Sequence, residues 1–512
     1  MKQNGTHREI QVNVSGRQLA RNTLLNLAGR IVPLLVSVLT IPYVIHHLGP
    51  DRYGLLSLAW IVVGYFAVVN LGLGPATAKF VAEFLGKGET DKLPELVWTA
   101  FASQLCFGLA GGVLLAILSP VLVSRVLKIP PELHAQAQWI FLILAVALPI
   151  DFGRGSLRGV LAASQRFDLL NALDIPFSIL TYLVPVAALA LGFGLPAIVF
   201  FLALARLAGF VVVLVLCVRL YPALSSGFRF NRRLIRSLLG FGGWVTVSGA
   251  VTPILAYFDR FLIGAVVSIA AVGFYTPPYM ISTKLWILPT SFTATLFPAF
   301  AASAGRGDRE WISSALTRSL KVLLLLVGPA ALVLAFFARP ILTLWLGARF
   351  AAEGSLALQI MAVAALVKSL AFVPYDLLHG VGRPDIPAKF RLMEAPLYVG
   401  LAWFMVTHFG LPGAALAWAI RVAADFLLLI GAACWVTRTS PRLFARRDLG
   451  RSIGSLAALA VSLAAVWIST HVFMTEVLFT LLLGCGFLLA VWHYALDLEE
   501  KWQIRSWLRA AP

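Results

Sequence analysis

Six cationic side chains lie inside apolar stretches of this chain, where an isolated charge is costly. They are Arg30, Arg206, Arg260, Lys284, Lys368 and Arg421. A Lys or Arg at the centre of a bilayer costs about 2.5–3.5 kcal/mol, so each is paired, near a membrane surface or facing water. Arg421 has Asp425 one helical turn away, which predicts an internal ion pair. Local pairing explains Arg30, Lys284 and Lys368 least well, because none has an acidic residue within four positions, and anion binding is the chemistry they would provide.

Two further cations have ambiguous surroundings. Arg206 occupies nearly the place of Arg421 in an internal repeat, but has no acidic residue four positions on. Arg260 adjoins Asp259, yet successive residues diverge by about 100° around a helix, so we expect a poor local pair.

A polar stripe runs along the first apolar segment within an arc of roughly 80°. Its members are Asn22, Asn26, Arg30, Pro33, Ser37 and Thr40. Such a stripe either packs against another polar stripe or lines a water-filled cavity. The cation at its middle favours the cavity.

A second stripe combines aromatic rings with hydroxyl groups, a composition that suits the faces and hydroxyls of sugars. Its members are Tyr275, Tyr279, Ser282, Trp286 and Thr290. Lys284 projects from the opposite side of an ideal helix, which weakens it as a ligand for the same cavity. On the preceding segment, Asp259 shares a face with Ser248 and Thr252.

Arg154 and Arg158 lie one turn apart near the end of the fourth apolar segment, with Asp151 one turn before Arg154. These arginines predict either capture of an anion at the cytoplasmic mouth or simple anchoring at the membrane surface, and anchoring is favoured. Arg391 and Glu394 are interpreted as a structural pair.

The elements that position these residues are membrane-spanning helices. The chain is 60% hydrophobic and 12% charged, its mean hydropathy is +0.88, and its apolar stretches of roughly 20 residues number about fourteen. Of the 41 Lys and Arg residues, 30 fall on the side that holds both termini and 5 on the other. This positive-inside distribution predicts cytoplasmic termini and explains the net charge of +18 without nucleic-acid binding.

The sequence also repeats itself. Phe193-Gly194-Leu195-Pro196 recurs 216 residues later, and the spacing from Gly54 to Gly86 recurs from Gly273 to Gly305, at an offset of 219. An offset of six helices predicts two lobes of equal orientation, related by an axis along the membrane normal. The predicted organisation is a cytoplasmic tail (1–20), a first lobe (21–219), a cytoplasmic linker (220–236), a second lobe (237–436), another linker (437–451), two further helices (452–497) and a cytoplasmic tail (498–512).

Three segments carry a family resemblance: LGPDRYGL at 48–55, NLGLG at 70–74 and DRFLIG at 259–264. They resemble the polysaccharide transporter family, the Wzx-type O-antigen and capsule flippases of the multidrug/oligosaccharidyl-lipid/polysaccharide (MOP) exporter superfamily. This resemblance implies an all-α, MATE-like fold of two six-helix lobes with two C-terminal helices, in the inner membrane of a bacterium. It also implies a substrate, an oligosaccharide on a polyprenyl diphosphate, that alternating access moves from the cytoplasmic to the outer leaflet. Arg30 best fits the cationic central cavity of that family.

The resemblance implies no cofactor, and a proton gradient, a sodium gradient or the membrane potential would supply the energy. Glycosyltransferases and a polymerase of the same pathway are the expected partners. Two alternatives stay open. A multidrug or cation exporter of the same superfamily would need exposed carboxylates, for which Asp174 and Asp259 are the candidates. A membrane-bound polymerase or ligase would need a large outer loop, which the short outer loops disfavour, and no spacing in the sequence predicts a catalytic or metal site.

Overall fold

The structure is a computed structural model that describes the backbone of residues 16–68, 73–164, 166–438, 447–469 and 473–496, and residue 501. Its side chains are described from residue 32 onward, apart from 63–72, 239–250, 252–254, 294–295, 439–448, 470–474, 476–477, 497–500, 502–512 and isolated positions. The described chain is helical and contains no strand, which confirms the predicted all-α class.

Fifteen α-helices make up the described backbone. They are α1 (Gly16–Val68), α2 (Leu73–Gly86), α3 (Leu93–Val121), α4 (His134–Ala163), α5 (Phe167–Ala190), α6 (Leu195–Leu220), α7 (Arg232–Val266), α8 (Ile269–Lys284), α9 (Ile287–Arg306), α10 (Arg309–Phe336), α11 (Ala338–Leu346), α12 (Ala348–Gly380), α13 (Asp385–Thr437), α14 (Arg447–Ser469) and α15 (Phe473–Ala490).

Two of these helices each contain two membrane spans. The backbone of α1 turns at Gly49 (φ 72°), and that of α13 turns at Gly410 (φ 59°). Only glycine adopts such positive φ values at little cost, so a glycine at each turn lets the chain reverse without a loop. Nine helices within the described residues are long and apolar enough to span a membrane. Counting both halves of α1 and α13, and adding α7, α8 with α9, and α15, brings the described spans into agreement with the predicted count.

Of the three largest clusters of buried apolar side chains among the described residues, one lies on the outer side of the membrane and two lie on the inner side. We use "outer" for the side of the turn at Gly49 and "inner" for the side rich in Lys and Arg. The largest cluster joins residues of both predicted lobes, from the outer halves of α1, α7, α8 and α13 among others. The inner halves pack separately, around Leu96 and Val160 in the first lobe and around Phe300 and Leu377 in the second. The lobes are therefore joined at the outer side.

Main-chain hydrogen bonds also join the two lobes at the outer side, and we call this region of contact the outer seam. The segment after α3 reaches the turn between α7 and α8: the amide of Lys128 donates to the Gly264 carbonyl at 2.8 Å, and the amide of Ile269 donates to the Lys128 carbonyl at 3.3 Å. The ammonium of Lys128 also donates to the carbonyl of Val266. These bonds connect the first lobe to the second across the outer face.

Candidate functional site

A polar pocket of about 530 Å³ lies between α4, α5 and α6 in the first lobe. Its charged lining residues are Asp151, Arg154, Arg158, Asp174 and Arg206. Three arginines and two aspartates leave one net positive charge. Asp151 is twelve residues and Arg158 five residues from the inner end of α4, about 18 and 8 Å along the axis. The pocket therefore lies in the inner half of the membrane span.

Helical spacing on α4 places its charged residues on the pocket. Asp151, Arg154 and Arg158 follow one another at intervals of three and four residues, which puts all three on one face of the helix. Gly155, between Arg154 and Arg158, also lines the pocket. The local sequence thus presents two guanidinium groups and a carboxylate to one cavity.

Two of the three arginines are neutralised by neighbouring helices. Arg206 Nη1 lies 2.7 Å from Asp151 Oδ2, and Arg158 forms a bidentate pair with Asp174, whose second contact is 2.8 Å. The third, Arg154, has its guanidinium over the ring of Phe177, 5.2 Å from the centroid, and makes no ion pair within the described part of the chain. Arg154 is therefore the cation of this pocket that is available to an anionic ligand.

Only part of the polar stripe predicted on the first span falls within the described side chains. The side chains of Asn22, Asn26 and Arg30 lie outside the described residues, so their proposed contribution stays a prediction. Ser37 is 2% exposed and donates to the Leu34 carbonyl at 2.7 Å. Its hydroxyl is therefore satisfied within its own helix, and α1 packs against α4, α5 and α6.

A second charged group is buried in the outer half of the second lobe. Tyr275 donates to Asp259 Oδ2 at 2.8 Å, and the Arg260 guanidinium stacks on Tyr279 at 3.8 Å from the ring centroid. Arg260 Nε lies 3.5 Å from Asp259 Oδ1 and makes no hydrogen bond with it, which agrees with the expectation of a poor local pair. The carboxylate instead turns back onto its own helix, where Oδ1 accepts the Arg260 amide at 2.8 Å.

The predicted pairing of Arg421 with Asp425 was wrong. Asp425 instead accepts a hydrogen bond from Lys368 Nζ at 2.7 Å, and Arg421 Nη1 lies 3.9 Å from Glu394 Oε2. This second contact takes Glu394 away from its predicted pairing with Arg391, whose guanidinium stacks on a tyrosine ring. The cations pair across helices, or across the two halves of α13, rather than within one helical segment. The carboxylates that they face are buried and need a cation.

The aromatic stripe of the eighth span faces the interior of the second lobe. Tyr275 is fully buried, the Tyr279 ring lies 5.9 Å from that of Trp418, and Trp286 lies 6.1 Å from the same ring. The rings are therefore packed among other aromatic side chains. The opposite face of α8 is the one turned toward the first lobe.

Lys284 lies on that opposite face. It follows Gly273 by eleven residues, so the two side-chain directions differ by only about 20° around the axis, and Gly273 contacts α1 of the first lobe at the outer seam. Lys284 lies about 16 Å further toward the inner side, is partly exposed, and forms no hydrogen bond or ion pair among the described residues. The sequence had discounted this lysine because it lies on the face opposite to the aromatic stripe, and that face is the one that contacts α1 at Gly273.

Sequence reasoning missed the partners of the intramembrane cations. Asp151 and Arg206 are 55 residues apart, and Lys368 and Asp425 are 57 apart. The available signal was the repeat itself, because an offset of 219 superposes Arg206 on Asp425. Phe177, which stacks on Arg154, carried no signal in the sequence.

The sequence of this chain is similar to those of known proteins. A profile of the polysaccharide biosynthesis protein family matches residues 47–353, more than half of the chain. A putative O-antigen transporter of Shigella flexneri is 27% identical over 420 residues, covering 80% of this chain and 96% of the relative.

Solved structures give the fold. The lipid II flippase MurJ in an inward closed conformation aligns with a TM-score of 0.73 and 14% identity over 91% of this chain and 98% of its own. An inward-facing MATE-family multidrug transporter of the MOP superfamily aligns with a TM-score of 0.69 and 16% identity over 81% of this chain and 94% of its own. The predicted MATE-like fold is confirmed, and the chain is a multi-pass membrane protein. With its two-lobed helical architecture and its extended sequence match, it belongs to the polysaccharide biosynthesis protein family.

Proposed function

We propose that this chain is a flippase that moves an oligosaccharide linked to a polyprenyl diphosphate from the cytoplasmic to the outer leaflet. The observation that carries the proposal is the polar pocket of the first lobe, in which Arg154 is free to bind an anion within the inner half of the membrane. The family and the O-antigen transporter relative support transport rather than enzymatic catalysis.

The pocket suits such a substrate for a physical reason. A diphosphate with its sugars loses its hydrogen bonds to water on entering hydrocarbon, and polar groups of the protein must replace them. Arg154 and the partly exposed arginines beside it offer charge-assisted hydrogen bonds to phosphate oxygens, which are among the strongest in proteins. Lys284, in the second lobe, would meet the same head group from across the gap between the lobes.

The membrane potential would favour the outward step, by about 2.3 kcal/mol for each negative charge moved through 100 mV, with the interior negative. A proton or sodium gradient is the other energy source we propose to test. We further propose that the protein resides in a bacterial inner membrane with both termini in the cytoplasm, and that it acts between glycosyltransferases and a polymerase of one pathway.

Transport by the purified protein in sealed vesicles tests this function. The substrate is a fluorescent polyprenyl-diphosphate oligosaccharide, and its arrival in the opposite leaflet is detected by a lectin or a quencher that cannot cross the membrane. We expect wild type to accelerate flipping, Arg154→Gln to lower the rate by roughly tenfold or more, and Lys87→Gln to leave it unchanged. Lys87 is the matched control because it is a cation of the inner side, is 56% exposed and, among the described residues, forms an ion pair only with Glu83.

The outcomes separate the remaining alternatives. Movement of organic cations without movement of the lipid-linked sugar would identify a multidrug exporter and reject the flippase. An unchanged rate in the Arg154→Gln variant would retain the flippase but reject this pocket. A flipping rate that is unchanged when the membrane potential is collapsed would reject the proposed electrical driving force.

A further inference from the structure

A groove opens on the surface of the second lobe where α13 begins and ends. It has a volume of about 460 Å³. Its lining residues are Arg383, Ile386, Lys389, Phe390, Leu427, Leu428, Gly431, Ala432 and Trp435. Because the two halves of α13 run in opposite directions, both of these segments lie at the inner side of the membrane.

The length of the groove fits within one leaflet. Its wall on the second half of α13 runs from Leu427 to Trp435, about 12 Å along the axis. This is less than half the thickness of a hydrocarbon core of about 30 Å. Leu427 is 66% and Trp435 71% exposed, and a Trp near the end of a span is typical of the membrane interface. The groove is therefore open to the acyl chains of the inner leaflet.

The rim of the groove carries two cations around one carboxylate. Arg383 Nε lies 2.9 Å and Lys389 Nζ 3.2 Å from the oxygens of Asp385. Arg383 uses Nε and Nη2 on this carboxylate, so Nη1 points elsewhere, and the ammonium of Lys389 has three donors. The rim thus has one net positive charge and donors left for a phosphate, whereas the floor is apolar.

We propose that this groove binds an anionic phospholipid of the inner leaflet, with an acyl chain along Leu428 and Gly431 and the phosphate against the donors of Arg383 and Lys389 that Asp385 does not use. Basic sites between membrane helices on the cytoplasmic side bind such head groups. The charge of the rim selects an anionic lipid over a zwitterionic one, and the depth of the floor selects a lipid over a soluble anion. The bound lipid connects the beginning of α13 to its end, at the inner side of the second lobe.

Gly431 allows the groove to be filled without disturbing the fold. A Cβ at Gly431 meets no atom within 4 Å, and the same is true of Gly400. Gly400 lies on the same helix but nearer the outer side, away from the basic rim. Gly431→Leu and Gly400→Leu are therefore a matched pair, in which only the first places a side chain in the groove.

Native mass spectrometry of the delipidated full-length protein tests the site. The protein is titrated with phosphatidylglycerol or phosphatidylcholine carrying identical acyl chains, and bound lipids are counted. We expect wild type and Gly400→Leu to bind one phosphatidylglycerol more tightly than the remainder. Each cation near a membrane surface contributes about fivefold to binding, so Arg383→Gln with Lys389→Gln weakens this lipid by roughly 25-fold, and Gly431→Leu removes it.

The proposal would be overturned by equal affinity for both lipids in wild type, by unchanged binding in the double variant, or by equal loss from Gly400→Leu and Gly431→Leu. It would also fail if a polyprenyl phosphate displaced phosphatidylglycerol from wild type, because the groove would then belong to the tail of the transported lipid. Melting temperatures of the variants, measured in the same detergent, exclude loss of fold as the cause. None of these results depends on the flippase assay.

Discussion

Lys368 and Asp425 form an ion pair that mirrors the pair of Asp151 with Arg206 in the other repeat, with the charges exchanged. In each lobe the bond joins two corresponding helices, α4 to α6 and α12 to the second half of α13. The repeat offset of 219 residues superposes Arg206 on Asp425. Both lobes thus have an ion pair between the corresponding helices, but the positions of the cation and the carboxylate are exchanged. In the first lobe the cation of this pair, Arg206, lines the polar pocket.

We expect Lys368→Met to destabilise the protein strongly, because it leaves the carboxylate of Asp425 buried without its cation. Asp425 is 5% exposed, and breaking one partner of a buried pair typically costs about 3–5 kcal/mol. The double variant Lys368→Met with Asp425→Leu should recover most of this loss, because no buried charge remains. Thermal unfolding in detergent measures both, and a single variant as stable as the double one would contradict the account.

We expect Gly54→Ala and Gly273→Ala to strain the outer seam. A Cβ on Gly54 would lie 1.9 Å from the Ile269 carbonyl oxygen, and one on Gly273 would lie 2.4 Å from the Pro50 carbonyl oxygen. Both obstacles are backbone atoms, so the helices must move apart, at a cost of about 1–3 kcal/mol. Gly305→Ala is the control, since its Cβ meets nothing within 4 Å and a helical Gly-to-Ala change alone is favourable.

The measurement has two readouts, the melting temperature and the reactivity of a cysteine placed at Leu55, which is fully buried in the seam. Opening of the seam should raise the reactivity in both strained variants and not in Gly305→Ala. If all three variants behave alike, the close approach of the helices at Gly54 and Gly273 has no energetic weight.

Much of the fold follows from the sequence, whereas the pairing of the charges does not. Span lengths and the glycines at 54 and 273 are local or periodic features, and they predicted both the helices and the repeat. The partner of Asp425 depends on which helix lies alongside, and nothing within four residues encodes Lys368. Local spacing therefore selected Arg421, which instead approaches Glu394.

The direction of a helix face is a similar case. Periodicity grouped the aromatic residues of the eighth span correctly on one side, but it does not say whether that side faces a cavity or a core. Tyr275 is 0% exposed, and its hydroxyl donates a hydrogen bond to Asp259 inside the second lobe. Only the packing of the lobes could show that the other side, which carries Gly273, is the one in contact with α1.

We expect Lys284→Gln to reduce transport with little change in stability. No ion pair or hydrogen bond of Lys284 is lost among the described residues, so the melting temperature should stay within about 1 °C. A contact between the ammonium and a phosphate would be lost, and the rate should fall by roughly tenfold. Lys284→Arg should restore much of the rate, and a variant that transports normally but melts early would show a purely structural function.

We expect the hydrogen bonds around Lys128 to report which side of the transporter is open. The amides of Lys128 and Ile269 are bonded across the outer seam, so they exchange with solvent only when the seam opens. Hydrogen exchange should therefore be slow at residues 127–130 and 264–270 in wild type and faster in Gly54→Ala, while α10 remains unchanged. Lys128→Met should accelerate exchange only modestly, because it removes the bond to Val266 and leaves both main-chain bonds. Exchange that is already rapid in wild type and indifferent to Gly54→Ala would mean that these bonds do not hold the lobes together, and that the outer side is closed by apolar packing alone.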